Sequence, residues 1–516
     1  MNNDTRTSNS VKNISFGMIS QVVQMLLGFV SRTIFIKFLA VEYLGLNSLF
    51  TNILTMLSLA ELGVGTAIVY SLYQPLANKE EREVATIITF YKKVYSGIGI
   101  FVFCIGLILL PFLSHIIPAK PHNIVEDVRL IYFIFLFNSS ATYFFSYKQS
   151  ILDADQKSSV ATLTNSAFLI FQNVLQILIL YFTQNYILFL VTQVLCAIAS
   201  NYYIARIVDK RYPYLSNYKS HKVDKELKNK IIANTKATFY VKIGGLLVNS
   251  TDNLIINYFV GLAVLGKFSN YVMLIAMASN FLVIIFNNIK SSVANFIITE
   301  TKEKQNEMFK SLNFFTFWIY GLSAVFLITL INDFITLWVG AKYVLSFNVV
   351  LILAINFFMY GMQYTFWTFK IGYGYFNHGK YLVLLTALIN LILSFILGYF
   401  YGIFGVLLAT AIARFVTNFW YDPYITIKLG LENNPVDYIF VFLKYIVILS
   451  ISIVTICSLS SMLHFTLFVT MVIKFCFCLV IPNLIIIVVY RKKPEFQKIY
   501  QMAVNAFLVL TKRIKT

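Results

Sequence analysis

Charge is what this sequence has least of: only 12% of its 516 residues are Asp, Glu, Lys or Arg. Soluble domains carry about twice that share, so so few charges exclude a surface that faces water throughout. Nine prolines and 22 glycines leave long apolar stretches uninterrupted. The five cysteines (Cys104, Cys196, Cys457, Cys476, Cys478) all lie in apolar stretches. Cys476 and Cys478 point to opposite sides of a helix, which speaks against a disulfide framework or a zinc site. His115, His122, His221, His378 and His464 are scattered, and none pairs at metal-ligand spacing. No G-x-x-x-x-G-K-[ST] run exists, so an ATP-driven mechanism would need a separate subunit. The opening MNNDTRTSNSVKN is polar and the first apolar stretch too long for a signal h-region, so no cleaved signal is expected.

What fills the chain instead is hydrocarbon: 59% of residues are hydrophobic and the mean hydropathy is +0.75. Backbone groups in a bilayer must pair internally, which permits helices or a closed barrel. Apolar runs of about 20 residues rather than alternating ten-residue strands select helices. About fourteen spans are expected, centred roughly on 14–38, 47–72, 93–113, 128–148, 159–182, 186–206, 237–260, 268–290, 312–331, 345–369, 380–401, 403–424, 439–460 and 465–490.

The basic residues test that map. With a cytoplasmic N-terminus, about 31 of the 41 Lys and Arg fall in inner loops and tails, and about 4 (Lys120, Arg129, Lys267, Lys342) in outer loops. The segment KRYPYLSNYKSHKVDKELKNK (210–230) and the tail from RKKPEFQK (491–498) are then cytoplasmic, as is the C-terminus. The +19 net charge follows from topology and attraction to anionic lipid, not from a nucleic-acid partner.

An internal repeat is legible. FLAVEYLGLNS (38–48) aligns with FVGLAVLGKFS (259–269) at an offset of 221, matching Phe38 to Phe259, Gly45 to Gly266 and Ser48 to Ser269. YFTQNYILFLVT (181–192) aligns with YFYGIFGVLLAT (399–410). Both matches fall on the same helix number of each half. The expected fold is therefore all-α integral membrane: two six-helix lobes (1–208 and 237–430) related by a pseudo-twofold axis, a basic cytoplasmic linker (209–236), and two additional helices with a basic tail (431–516). Transporters built this way place the substrate path between lobes.

Polar residues then mark candidate sites. The first helix carries Gly17, Gln21, Gln24, Gly28, Ser31 and Arg32 along one face; the seventh carries Lys242, Gly245, Asn249, Asp252 and Asn253. Small and polar residues also pack helices, which is the better reading for the glycines. A charge at the bilayer centre costs about 2.5–3.5 kcal/mol, so Arg32 and Asp252 need a wet cavity or a partner. Glu61 and Arg414, mid-span, need the same. Pairs Arg414–Asp252 and Arg32–Glu61 both remain open. Lys37 and Lys444 lie where snorkelling serves them, whereas the sequence offers no account of Lys474. Arg32, Lys242 and Arg414 would suit a phosphate or pyrophosphate; Gln21, Gln24, Asn249 and Asn253 would line the cavity. Asp153-Ala154-Asp155 has the D-x-D shape of metal-using glycosyltransferases but no nucleotide-binding fold around it.

YLGLNSLFTNILTMLSLAELGVGTAIVYSLYQPLA (43–77) and KIGGLLVNSTDNLIINYFVGLAVLGKFSNY (242–271) resemble bacterial polysaccharide-transport (Wzx-type) flippases. YKQSILDADQK (147–157) and FWYDPYITIKLG (419–430) are similar to further stretches of that family. It belongs to the multidrug/oligosaccharidyl-lipid/polysaccharide exporter superfamily. The resemblance implies alternating access by two six-helix bundles in a bacterial plasma membrane. It also implies transfer of an undecaprenyl-pyrophosphate-linked oligosaccharide to the outer leaflet for capsule or exopolysaccharide, and a transporter rather than an enzyme. Arg32, Glu61 and Asp252 fall at family-like positions; Arg414 and Lys474 match no family pattern. Glu61 and Asp252 would balance the cations or couple transport to H+ or Na+, and no other cofactor is expected. Anionic lipids and other polysaccharide-assembly proteins are the further partners this reading allows. The rivals are a cation-coupled multidrug antiporter, which would favour acidic cavity residues, and an integral-membrane polysaccharide enzyme, which would need a sizeable outer loop.

Overall fold

The computed structural model describes residues 3–61, 63–117, 123–218, 225–375, 378–502 and 504. At 3–20, 60, 225–227, 230, 234, 236–238, 240–242, 244–249, 288, 291 and 380 only the course of the backbone is described. Among the described residues the regular elements are helices, with no strand. The chain divides into two compact units, Met1–Gly266 and Lys267–Thr516.

The first unit holds α1 (Asn3–Phe38), α2 (Val41–Leu57), α3 (Val64–Asn78), α4 (Glu81–Leu109), the short α5 (Leu113–Ile116), α6 (Val128–Ser146) and α7 (Gln149–Ala154). It continues with α8 (Ser158–Thr183), α9 (Tyr186–Arg211), α10 (Tyr214–Asn217), α11 (Lys225–Val260) and the first turn of α12 (Leu262–Thr299). Polar caps set where several of these begin. Asp127 accepts from the Arg129 N–H at 2.9 Å ahead of α6, and Asn185 from the Leu188 N–H at 3.0 Å ahead of α9. α8 lies along α1 and α9, α6 along α4 and α9, and α11 on α2 and α3. The basic stretch expected as a linker thus leads into a helix grouped with this unit.

Lys267–Thr516 contains the rest of α12, then α13 (Lys302–Val339), α14 (Phe347–Gly372), α15 (Lys380–Val416), α16 (Asn418–Tyr424), α17 (Pro435–Ser461) and α18 (Leu467–Tyr490). α17 starts with Asn434 capping the Val436 N–H at 3.1 Å and Pro435 in its first turn. α15 is two helices folded back at Gly402, whose φ of 57° and ψ of −136° only glycine adopts without strain. Cross-bonds close that hairpin: Asn390 Nδ2 donates to Thr410 Oγ1 at 2.9 Å, and the Thr386 and Thr417 hydroxyls meet at 2.7 Å. The core is aromatic, with Phe286, Phe314, Phe317, Tyr320, Phe366 and Phe369 fully enclosed.

Eleven helical runs among the described residues are long and apolar enough to cross a membrane. The difference from the fourteen expected lies in three places. The expected span 47–72 is broken by a 3-10 turn, Ser58–Glu61. The span 237–260 lies within α11, which is not among the eleven. Spans 380–401 and 403–424 fall in one continuous run that bends at Gly402. Large apolar side chains such as Phe400, Val454 and Val488 stand on the outside, which is stable against lipid and not against water. This is a multi-pass α-helical membrane protein.

Candidate functional site

In the first unit the polar residues gather where α2 gives way to α3. Glu61 ends the 3-10 turn, and its carboxylate accepts from the Tyr95 hydroxyl at 2.5 Å. Tyr91 meets Tyr95 edge-on at 4.2 Å between ring centres, and Tyr143 lies 5.8 Å from Tyr95 and beside the same carboxylate. The sequence singled out Glu61 but none of the three tyrosines, which come from α4 and α6. An alternation of aromatic and apolar residues in a span gives no sign of which rings converge.

Asp153 closes α7 and stands near Tyr91, and burial raises its carboxyl pKa above the ordinary range. Its neighbour Asp155 is ion-paired with Lys157 and accepts from the Tyr212 hydroxyl at 2.6 Å. The D-x-D motif is therefore divided between two environments. No group of three or more metal-binding side chains occurs among the described residues.

Of the first helix's stripe, Gln24 donates to Ser166 on α8 at 3.3 Å, a helix-packing contact. Gln21 and Arg32 are half-buried. On α11, Asp252 and Asn253 are half-buried beside the buried Ser250 and Thr251. The side chains of Lys242 and Asn249 lie outside the described residues. One turn on, Asn257 donates to the Ile116 carbonyl at 2.6 Å, tying α11 to the loop end of α5.

The second unit holds a constellation that the sequence did not announce. Arg414, in the last turn of α15, lies over the Tyr360 ring at 5.4 Å. Tyr360 meets Trp367 at 5.3 Å, and the Trp367 indole donates to Asp422 Oδ2 at 3.1 Å. Lys370 completes the line with its ammonium 2.8 Å from Asp422 Oδ1. The Asp422 side chain is 6% exposed and that of Lys370 16%, so this pair is enclosed. Both residues sat at the ends of expected spans, where charge is ordinary, so only their meeting makes them notable. Lys474 also finds its explanation: its ammonium lies 2.6 Å from Asp333 on α13.

A protein-family model described as "Polysaccharide biosynthesis protein" matches residues 10–289. The chain belongs to that family. A search of curated proteins returns no match. Among solved structures, the chain is similar to the lipid II flippase MurJ in an inward closed conformation. The TM-score is 0.64 and the identity 18%, over 93% of this chain and 99% of that one. An inward-facing multidrug resistance MATE family transporter of the MOP superfamily gives a TM-score of 0.61 at 12% identity, covering 77% and 93%. A variant of the Vibrio cholerae MATE transporter VcmN gives 0.54 at 13%, covering 84% and 99%. These three are a flippase and two transporters, not enzymes, and at such identities the likeness is one of fold. The family member described here thus combines a transporter fold with charged groups set inside its helices.

Proposed function

We propose that this protein is a flippase that moves undecaprenyl-pyrophosphate-linked oligosaccharide repeat units from the cytoplasmic to the outer leaflet by alternating access, supplying capsule or exopolysaccharide synthesis. In this reading it resides in a bacterial plasma membrane with both termini cytoplasmic, and the six-helix lobes follow the sequence repeat at 1–208 and 237–430. The observation that carries it is guanidinium placed within membrane helices: Arg32 half-buried on α1 and Arg414 against Tyr360. Guanidinium matches phosphate oxygens bidentately, and an aromatic floor favours it further. Arg32, Lys242 and Arg414 are the groups assigned to the pyrophosphate. Gln21, Gln24, Asn249 and Asn253 serve as polar lining, and Glu61 and Asp252 balance charge or take up H+ or Na+. Radiolabelled sugar-lipid in a deletion strain should accumulate on the cytoplasmic face; export at the wild-type rate would refute the reading.

Glu61 and its tyrosines support a second reading, a cation-coupled drug antiporter. A carboxylate among phenols can hold a proton or a metal cation until a gradient removes it. Unchanged drug sensitivity of the deletion strain, with the sugar-lipid trapped, separates the two.

A further inference from the structure

A cavity of ≈ 440 Å³ opens where α13 and α17 begin and α18 ends. Lys310, Lys444 and Lys493, all exposed, stand around it, with Asp437 and Glu495. Phe309, Val441 and Val489 supply apolar wall. At its back lie two buried polar side chains, Asn313 at 3% exposure and Tyr438 at 8%. Asn313 Oδ1, Tyr438 Oη and Glu495 Oε2 are shielded and have no hydrogen-bond partner among the described residues. Shielded acceptors of this kind are costly unless something donates to them. The proposed transport site uses none of these residues.

From this cavity we infer a binding site for a phospholipid headgroup that carries both a phosphate and a terminal N–H or O–H donor. The lysines meet the phosphate as point charges at the mouth. The terminal ammonium or hydroxyl donates inward to Asn313 Oδ1 and Glu495 Oε2, while the acyl chains follow the apolar wall into the bilayer. Three cations with two carboxylates suit such a mixed headgroup better than a bare phosphate, which would face Asp437 and Glu495 unfavourably. The basic residues crowding this end, Lys302, Lys304 and Arg491 among them, place it at the cytoplasmic leaflet by the positive-inside bias.

The test compares the full-length protein, delipidated in detergent, with phosphatidylethanolamine, phosphatidylglycerol and phosphatidylcholine added back singly, counting bound lipid by native mass spectrometry. Phosphatidylcholine has phosphate but no headgroup donor. Retention of the first two should exceed it about tenfold, the effect of one well-placed hydrogen-bonding group. Asn313→Leu should erase that preference, and combined Lys310→Ala, Lys444→Ala and Lys493→Ala should weaken all three lipids. Those lysines are exposed, so the triple variant should fold even if Asn313→Leu does not. Equal retention of phosphatidylcholine, or wild-type binding by the triple variant, overturns the assignment. So does complete displacement by equimolar soluble glycerophosphoethanolamine, which would make the ligand a free phosphate ester. The readout is binding, so the site can fail while the flippase reading stands, and the reverse.

Discussion

Gly45 and Gly266 make the same contact with each other's helix in reverse. A Cβ on Gly45 would lie 2.2 Å from the Leu262 carbonyl oxygen, and one on Gly266 would lie 2.1 Å from that of Val41. Adding 221 to 41 and 45 gives 262 and 266, so the two contacts are equivalent under the offset that aligns the repeats. A pattern seen first as a weak sequence match is thus also a reciprocal packing of α2 on the start of α12. Backbones this close leave no room for a side chain.

Gly45→Ala and Gly266→Ala should each destabilise by about 1–3 kcal/mol, since backbone must move to admit the methyl group. Gly28→Ala, whose Cβ meets nothing within 4 Å, should be neutral or slightly stabilising. Thermal unfolding in detergent checks all three, and a Gly45 variant as tolerant as the Gly28 one would contradict the close approach.

Lys474→Met leaves Asp333 without its partner among apolar helices. The loss should be about 2–3 kcal/mol, less than for a fully buried pair because each side chain is 20% exposed. Lys474→Met combined with Asp333→Leu should regain most of it. A double variant no better than the single would show that the pair is not what holds α18 to α13.

Asp153 carries a pH signature. Burial raises its folded pKa above the unfolded value, so the folded state binds the proton more tightly. Its contribution to stability is therefore full in acid and declines as pH rises through the raised pKa. Asp153→Asn should raise the unfolding temperature at pH 8 and leave it nearly unchanged at pH 4. The opposite order would mean that the carboxylate, not the acid, is what the fold holds.

Arg32→Ala should lower polymer export about tenfold or more at equal membrane abundance, the worth of one charge-assisted contact to phosphate. Arg32→Lys should retain part of it, as a point charge without the planar fork. Export unchanged in Arg32→Ala would remove this residue from the mechanism.

The helical, membrane-spanning character was readable from composition because lipid imposes it on every segment alike: no charge to spare, and apolar runs of the right length. Glu61, Arg32 and Arg414 were readable for the same reason, since a lone charge in an apolar run is conspicuous whatever its surroundings. Lys370 and Asp422 were not, because each lies at the end of a span, and neither was the cavity behind Lys310 and Lys444.

What the sequence by itself determined is therefore the solvent of this protein, its helices and the few charges that stand inside them. Which of those charges pair, with Lys474 finding Asp333 and Glu61 finding Tyr95, only the tertiary structure decided. The partners stand 141 and 34 residues apart. Local periodicity sets which face of a helix a residue occupies, but only packing sets what that face meets.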